Sequence, residues 1–183
     1  LFIIGFVVLN FDTIAYTSLP VQDKEDFLLE QEFTKRMKLV SALREFNTQL
    51  DYSMANYISF VVLKECTKKD LRPELILGLI QTESDFDHSA IERKGGTYGL
   101  MQVRFDTWKD KHRIKNTNQL QQITKNIELG TSILRQYIDS EGSLAKALYR
   151  YNTGKSPQPN ADWTYPRKVM STAYRYLLAM ESY

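Results

Sequence analysis

The chain reads as an all-α protein. Two observations carry this: from residue 20 onward apolar residues recur at intervals of three and four, and no stretch alternates apolar and polar residues with period two. A third is punctuation, since the polar run TKKDLR, the Gly95–Gly99 cluster and the Pro- and Asn-bearing stretch after Gly154 separate periodic segments.

The elements follow in chain order. Residues 1–20, LFIIGFVVLNFDTIAYTSLP, form a signal-like or anchor segment. Its apolar run from Leu1 to Leu9 is shorter than the roughly 20 residues a spanning helix needs, and its length suits the apolar part of an export signal. The chain starts without Met or a basic leader and no A-x-A site follows, so a buried N-terminal strand is the competing reading. Residues 21–51 hold an amphipathic helix, in which Leu29, Phe33, Met37, Val40, Leu43, Phe46 and Leu50 recur at helical spacing over Asp26 to Leu50. It either packs on the main domain or serves as a partner-binding segment. The main domain covers residues 52–183. A helix over Met54 to Cys66 ends at the polar run TKKDLR, and Pro73 restarts the pattern at a first-turn position, where a missing N–H costs nothing. In LILGLIQTESDF, Ile76, Leu79, Ile80 and Glu83 share one helix face. Gly95, Gly96 and Gly99 mark a loop. DTWKDKHR and NTNQLQQITKNIELGTSILRQYID supply further helices, the second with Gly130 allowing close packing. A short helix through ALYRYNTG stops at Gly154, and YPRKVMSTAYRYLLAM closes the chain with Val169, Ala173, Tyr176, Leu177 and Met180 on one side.

Bulk composition excludes more than it assigns. At 183 residues, 43% hydrophobic and 25% charged, this is an ordinary globular chain with room for one sizeable core. A net charge of +2 is too small to argue for a nucleic-acid partner. There is no zinc-type Cys/His spacing and no phosphate-binding glycine pattern. The single cysteine, Cys66, reads as a small buried hydrophobe, and His88 and His112 lie in polar surroundings.

Glu83 is the residue that asks for a chemical explanation. A carboxyl group desolvated by Leu79, Ile80 and Phe86 resists ionisation, and a carboxylic acid still protonated near neutral pH can donate to a glycosidic oxygen. Taken alone, such a Glu is equally a salt-bridge or hydrogen-bond partner at a helix end. Its neighbours decide the matter: ES ending an apolar helix, then YGLMQV, NIELGTSIL, ALYRYNTG and YPRKV follow in order. Over roughly Tyr52 to Tyr176 the sequence resembles the lytic transglycosylases with a soluble-lytic-transglycosylase type catalytic domain, relatives of goose-type lysozyme.

That resemblance implies a lysozyme-like catalytic domain and a role for each matching position. Glu83 falls on the single catalytic acid and Ser84 on the hydroxyl that orients the site. Gly99, Leu100, Met101 and Gln102 fall on the loop lining the sugar groove, with Gln102 bonding an acetamido or hydroxyl group and Met101 supplying surface and a backbone carbonyl. Tyr151 and Asn152 match the pair that holds sugar beside the acid, and Tyr165 a tyrosine whose hydroxyl approaches it. As purely structural residues, Tyr151 and Tyr165 would be core aromatics, Asn152 with Gly154 a helix end, and Gln102 a loop cap. The chain departs from the pattern at Arg150, where a small apolar residue is usual, at KSPQPN, at DWT and at Pro166.

The implied reaction needs one acid and neither metal nor cofactor. Glu83 protonates the oxygen between N-acetylmuramic acid and N-acetylglucosamine, the 2-acetamido group steadies the developing charge, and Glu83 then deprotonates the C6 hydroxyl that closes a 1,6-anhydro ring. Glycosidases with two carboxylates space them about 5–9.5 Å apart. Among sequence neighbours, Asp85 would lie about 200° round the helix from Glu83, whereas Asp87 is past its end and could swing back. Two other functions share these residues: a hydrolytic muramidase of the same fold, and a non-catalytic glycan-binding or scaffold protein of an envelope-spanning assembly. The implied partners are peptidoglycan strands, with membrane association through the N-terminus, machinery docking through the amphipathic helix, and an exported, periplasmic or envelope location.

Overall fold

The computed structural model describes residues 20–183, so the expected signal or anchor segment lies almost wholly outside the described residues. Among those residues the order is α1 (Val21–Phe46), α2 (Tyr52–Lys69), α3 (Pro73–Ser84), β1 (Ile91–Glu92), β2 (Thr97–Tyr98), β3 (Val103–Arg104), α4 (Phe105–Trp108), a 3-10 turn (Thr117–Gln121), α5 (Ile123–Glu141), α6 (Leu144–Thr153) and α7 (Thr164–Glu181). The architecture is all-α, carrying one small sheet.

The chain divides into two compact units between Lys35 and Arg36, inside α1. The expected division at residue 51 therefore falls elsewhere. The reason is packing: Leu39, Ala42 and Leu43 have no exposed surface and belong to the core of the second unit. In the first unit Leu28, Leu29 and Phe33 are half-exposed or more.

The centre of the second unit is α3. The sequence suggests a one-faced helix, but every residue from Pro73 to Ile80 is buried, including Leu75 and Leu77 on the supposed outer side. A helix apolar all round belongs in an interior. Each fully buried Leu or Ile contributes about 1.5–3 kcal/mol against leaving it exposed. Pro73 opens the helix at its first position, as expected. α3 packs mainly on α7, and α5 packs on α2 and α6. The α3–α7 crossing is tight at Gly78, where an added Cβ would sit 2.7 Å from the Ala173 backbone nitrogen. Cys66 is in the core and, with 2% of its surface exposed, acts there as a small hydrophobe.

Three local differences from the sequence reading have physical causes. The glycine-bearing stretch is not plain loop but a three-stranded antiparallel sheet pairing Ile91 with Tyr98 and Tyr98 with Val103. Strands of two residues are too short to display an alternation. DTWKDKHR makes only one helical turn before Arg113 turns left-handed and Ile114 is buried. The long helix expected over 116–139 is broken at Gln122, which is extended. The break leaves the Leu120 carbonyl free to accept from the buried Asn126 amide at 2.6 Å.

Candidate active site

Glu83 sits in the last turn of α3, where the buried helix surfaces. Two consecutive non-glycine residues, Asp85 and Phe86, then take positive φ of 49° and 65°, a costly conformation that turns the chain sharply away behind the acid. The Asn47 side chain donates to the Asp85 carbonyl at 3.1 Å, and Phe86 is buried edge-on against Tyr176 at 6.4 Å.

The acid stands where two lobes of one groove meet. The larger, about 700 Å³, is lined by Glu83, Ser84, Glu92, Gln102 and a face of α7. The smaller, about 300 Å³, has Glu83 again, with Trp108, Tyr137, Tyr151 and Asn152. Glu83 thus has open groove on both sides.

Burial pushes the Glu83 carboxyl up from 4.5 to about 7, against the opposing pulls of the Tyr165 hydrogen bond and the Lys168 charge. The Tyr165 hydroxyl donates to Glu83 Oε1. Burial and the Glu83 charge together hold that phenol far above its usual range, so it remains the donor and leaves Oε2 for the transferable proton. Tyr151, also driven up by burial and then by Glu83, donates to the Met101 carbonyl at 2.9 Å.

The GLMQ loop is fastened from beneath. Asn126, fully buried on α5, accepts from Met101 N at 2.7 Å and donates to the Tyr98 and Leu120 carbonyls at 2.8 and 2.6 Å. Gly99 has φ +76°, and a Cβ there would collide with the Leu120 carbonyl and the Asn126 amide. Ser84 Oγ donates to the Leu100 carbonyl at 2.8 Å, tying the loop to the end of α3.

The implied residues therefore separate into two groups. Glu83, Ser84, Gln102, Tyr151 and Asn152 line the lobes, and Tyr165 is bonded to the acid. Gly99 and Met101 lie beneath: Met101 offers no surface, because its side chain is buried against Gly130 and its carbonyl already accepts from Tyr151. Gln102 borders both lobes, but its amide group donates to the Gly99 and Ala90 carbonyls at 2.8 and 3.3 Å while Thr97 Oγ1 donates to its oxygen. One lone pair on Oε1 remains for a ligand. The Asn152 amide borders the smaller lobe and makes no hydrogen bond among the described residues.

The departures have structural partners. Arg150 lies over the Tyr137 ring at 4.8 Å and donates to Glu141 at 2.9 Å. Pro166 is the third residue of α7, where no helical partner is lost, and Asp162, two residues before Thr164, accepts from Thr164 N at 2.8 Å. Asp87 is not a second carboxylate for the groove: its Oδ1 accepts from Ser89 N at 2.8 Å and from the Ser89 hydroxyl at 2.6 Å, which lowers its pKa. Asp85 borders the larger lobe. Sequence reading missed Glu92, which borders both lobes from β1, and Lys168, Thr172 and Arg175 of α7. The last three follow Tyr165 at steps of three, four and three, a polar helix stripe legible in the sequence. His88 and His112 line neither lobe, and among the described residues no group of His, Cys, Asp or Glu could hold a metal ion.

A family model described as "Transglycosylase SLT domain" matches residues 60–170. The matched span includes Glu83, the GLMQ loop, Tyr151, Asn152 and Tyr165. None of the curated proteins compared with the chain matches it.

Proposed function

This chain belongs to the family of transglycosylase SLT domains, and from that membership we propose that it is a peptidoglycan lytic transglycosylase with Glu83 as its single general acid and base. The observation that carries the assignment is the environment of one carboxyl group, half-buried at the meeting of two lobes, bonded by Tyr165 and raised to about 7.

In this reading a glycan strand lies along both lobes with a MurNAc-β-1,4-GlcNAc bond over Glu83. Glu83 Oε2 gives its proton to the glycosidic oxygen and the GlcNAc side leaves. The 2-acetamido group of the muramoyl residue stabilises the positive charge developing at C1. The Glu83 carboxylate, held by Tyr165, then removes the proton from that residue's C6 hydroxyl, whose oxygen closes onto C1. Atoms balance without water, and the internal hydroxyl outcompetes solvent through effective concentration. Asn152 and the free lone pair of Gln102 offer bonds to acetamido and hydroxyl groups, while Trp108, Tyr137 and Tyr151 give the smaller lobe aromatic walls suited to sugar faces. The substrate lies in the cell envelope, and the work of the enzyme is proposed there. Among the described residues no helix is long and apolar enough to cross a membrane.

A second reading, hydrolysis on the same frame, is favoured by Glu92, the other carboxylate that borders both lobes. In that reading Glu92 would hold the attacking water. Mass analysis of products from purified peptidoglycan separates the two. Ends lighter by one water and lacking a reducing terminus support the transglycosylase. Reducing ends that disappear in Glu92→Gln support hydrolysis, and unchanged wall with wild-type protein removes both.

A further inference from the structure

We propose that Lys168 and Arg175 form a carboxylate-reading ledge in the larger lobe, which recognises an acidic group on the 3-O-lactyl substituent of a muramoyl residue; this rests on the peptidoglycan reading above. Lys168, Thr172 and Arg175 stand on one face of α7 and all border the lobe that contains Glu83. At 1.5 Å per residue, the stripe begins about 4.5 Å along the helix from Tyr165 and ends about 10 Å further on. It therefore runs from the acid outward along the path a strand would take.

Both cations are available. Among the described residues neither takes part in an ion pair. The Arg175 guanidinium lies over the Phe46 ring at 4.5 Å, a contact that fixes its plane while its edge N–H groups stay open. Of the acids in the same lobe, Glu92 already accepts from the Lys94 and Gly95 backbone N–H groups, and Glu83 is about half protonated near neutral pH. Asp85 also borders the lobe and forms no ion pair with Arg175.

A sugar backbone offers two cations hydrogen-bond acceptors but no opposite charge. The charges on this polymer lie on the muramoyl C3 ether: the lactyl carboxylate itself where no peptide is attached, or the carboxylates of the stem peptide where one is. Either source supplies the carboxylate that an arginine edge and a lysine ammonium bind best. Such a ledge would fix the strand's register, so that a muramoyl residue rather than N-acetylglucosamine is set at the correct distance from Glu83.

The test measures binding in a Glu83→Gln background, where no bond is cut and any influence of Lys168 on the acid is removed. Three ligands are compared: peptide-bearing glycan strands, strands stripped by an amidase, and a chito-oligosaccharide of equal length, which has no carboxylate. The starting protein should prefer muramoyl strands, and the preference should weaken with salt. Lys168→Gln and Arg175→Gln should each reduce it about threefold to tenfold, with little change in melting temperature because both side chains are exposed. A loss confined to peptide-bearing strands identifies the stem peptide as the source, and one confined to stripped strands the lactyl group. Equal losses on all three ligands, or none, overturn the proposal. If the starting protein binds no glycan at all, the peptidoglycan reading fails with it.

Discussion

In the proposed mechanism Glu83 combines two demands that conflict in most carboxyl groups: it must keep a proton near neutral pH, yet act as a base once that proton is gone. Burial meets the first, and the Tyr165 hydroxyl with the nearby Lys168 charge meets the second. Glu83→Gln should lower turnover by about a hundredfold to ten-thousandfold with folding retained, read as anhydro ends released per enzyme. Because the protonated form does the first step, wild-type kcat should decline as pH rises through about 7. Tyr165→Phe removes a bond that favours the carboxylate, so its descending limb should move to higher pH while kcat falls about tenfold. Stability follows with its own sign. The folded group holds its proton to about pH 7 and the unfolded one releases it near 4.5, so its contribution is most favourable below 4.5 and is lost as pH rises towards 7. Glu83→Gln should therefore be more stable than wild type at pH 8 by about 1–3 kcal/mol, and no more stable at pH 4, as denaturant melts would record.

The elements hold the site through two junctions, and each can be broken alone. Gly78 lets α3 and α7 approach, which brings Glu83 to Tyr165. Gly78→Ala should cost about 1–3 kcal/mol in a urea melt and reduce kcat as well, because the added methyl meets backbone that cannot rotate aside. Asn126 performs the other task, since its amide serves three backbone groups of the loop and the 3-10 turn. Asn126→Leu strands those buried groups, at about 1–3 kcal/mol for each one left without water or another partner. Much at this scale was legible beforehand. The apolar spacing announced helices near their observed positions, Pro73 their restart and Gly154 a left-handed stop. What escaped was short or conditional: two-residue strands carry no period, and the break at Gln122 exists because a residue four places on needs a carbonyl from the preceding turn.

At the scale of the molecule, the core and both lobes of the groove lie within Arg36–Tyr183. A chain beginning at Arg36 should fold and cleave peptidoglycan like the 183-residue chain, whereas one lacking residues 22–50 loses Leu39 and Leu43 from the core. Each such leucine is worth about 2–5 kcal/mol, so the second chain should melt far lower and lose activity. The sequence by itself determined the helical class, the apolar helix ending in an acid, and the order of motifs that marks the family. These are local properties, because a side chain's position on its own helix depends only on spacing along the chain. Tertiary structure alone decided that the amphipathic α1 is shared between two units, that Met101 is floor rather than wall, and that Gln102 spends most of its amide on its own loop. It also brought Glu92, Lys168 and Arg175 to the groove. Those facts concern distances between residues far apart in sequence, which are set by how α3, α7 and the small sheet pack, and no period along the chain encodes them.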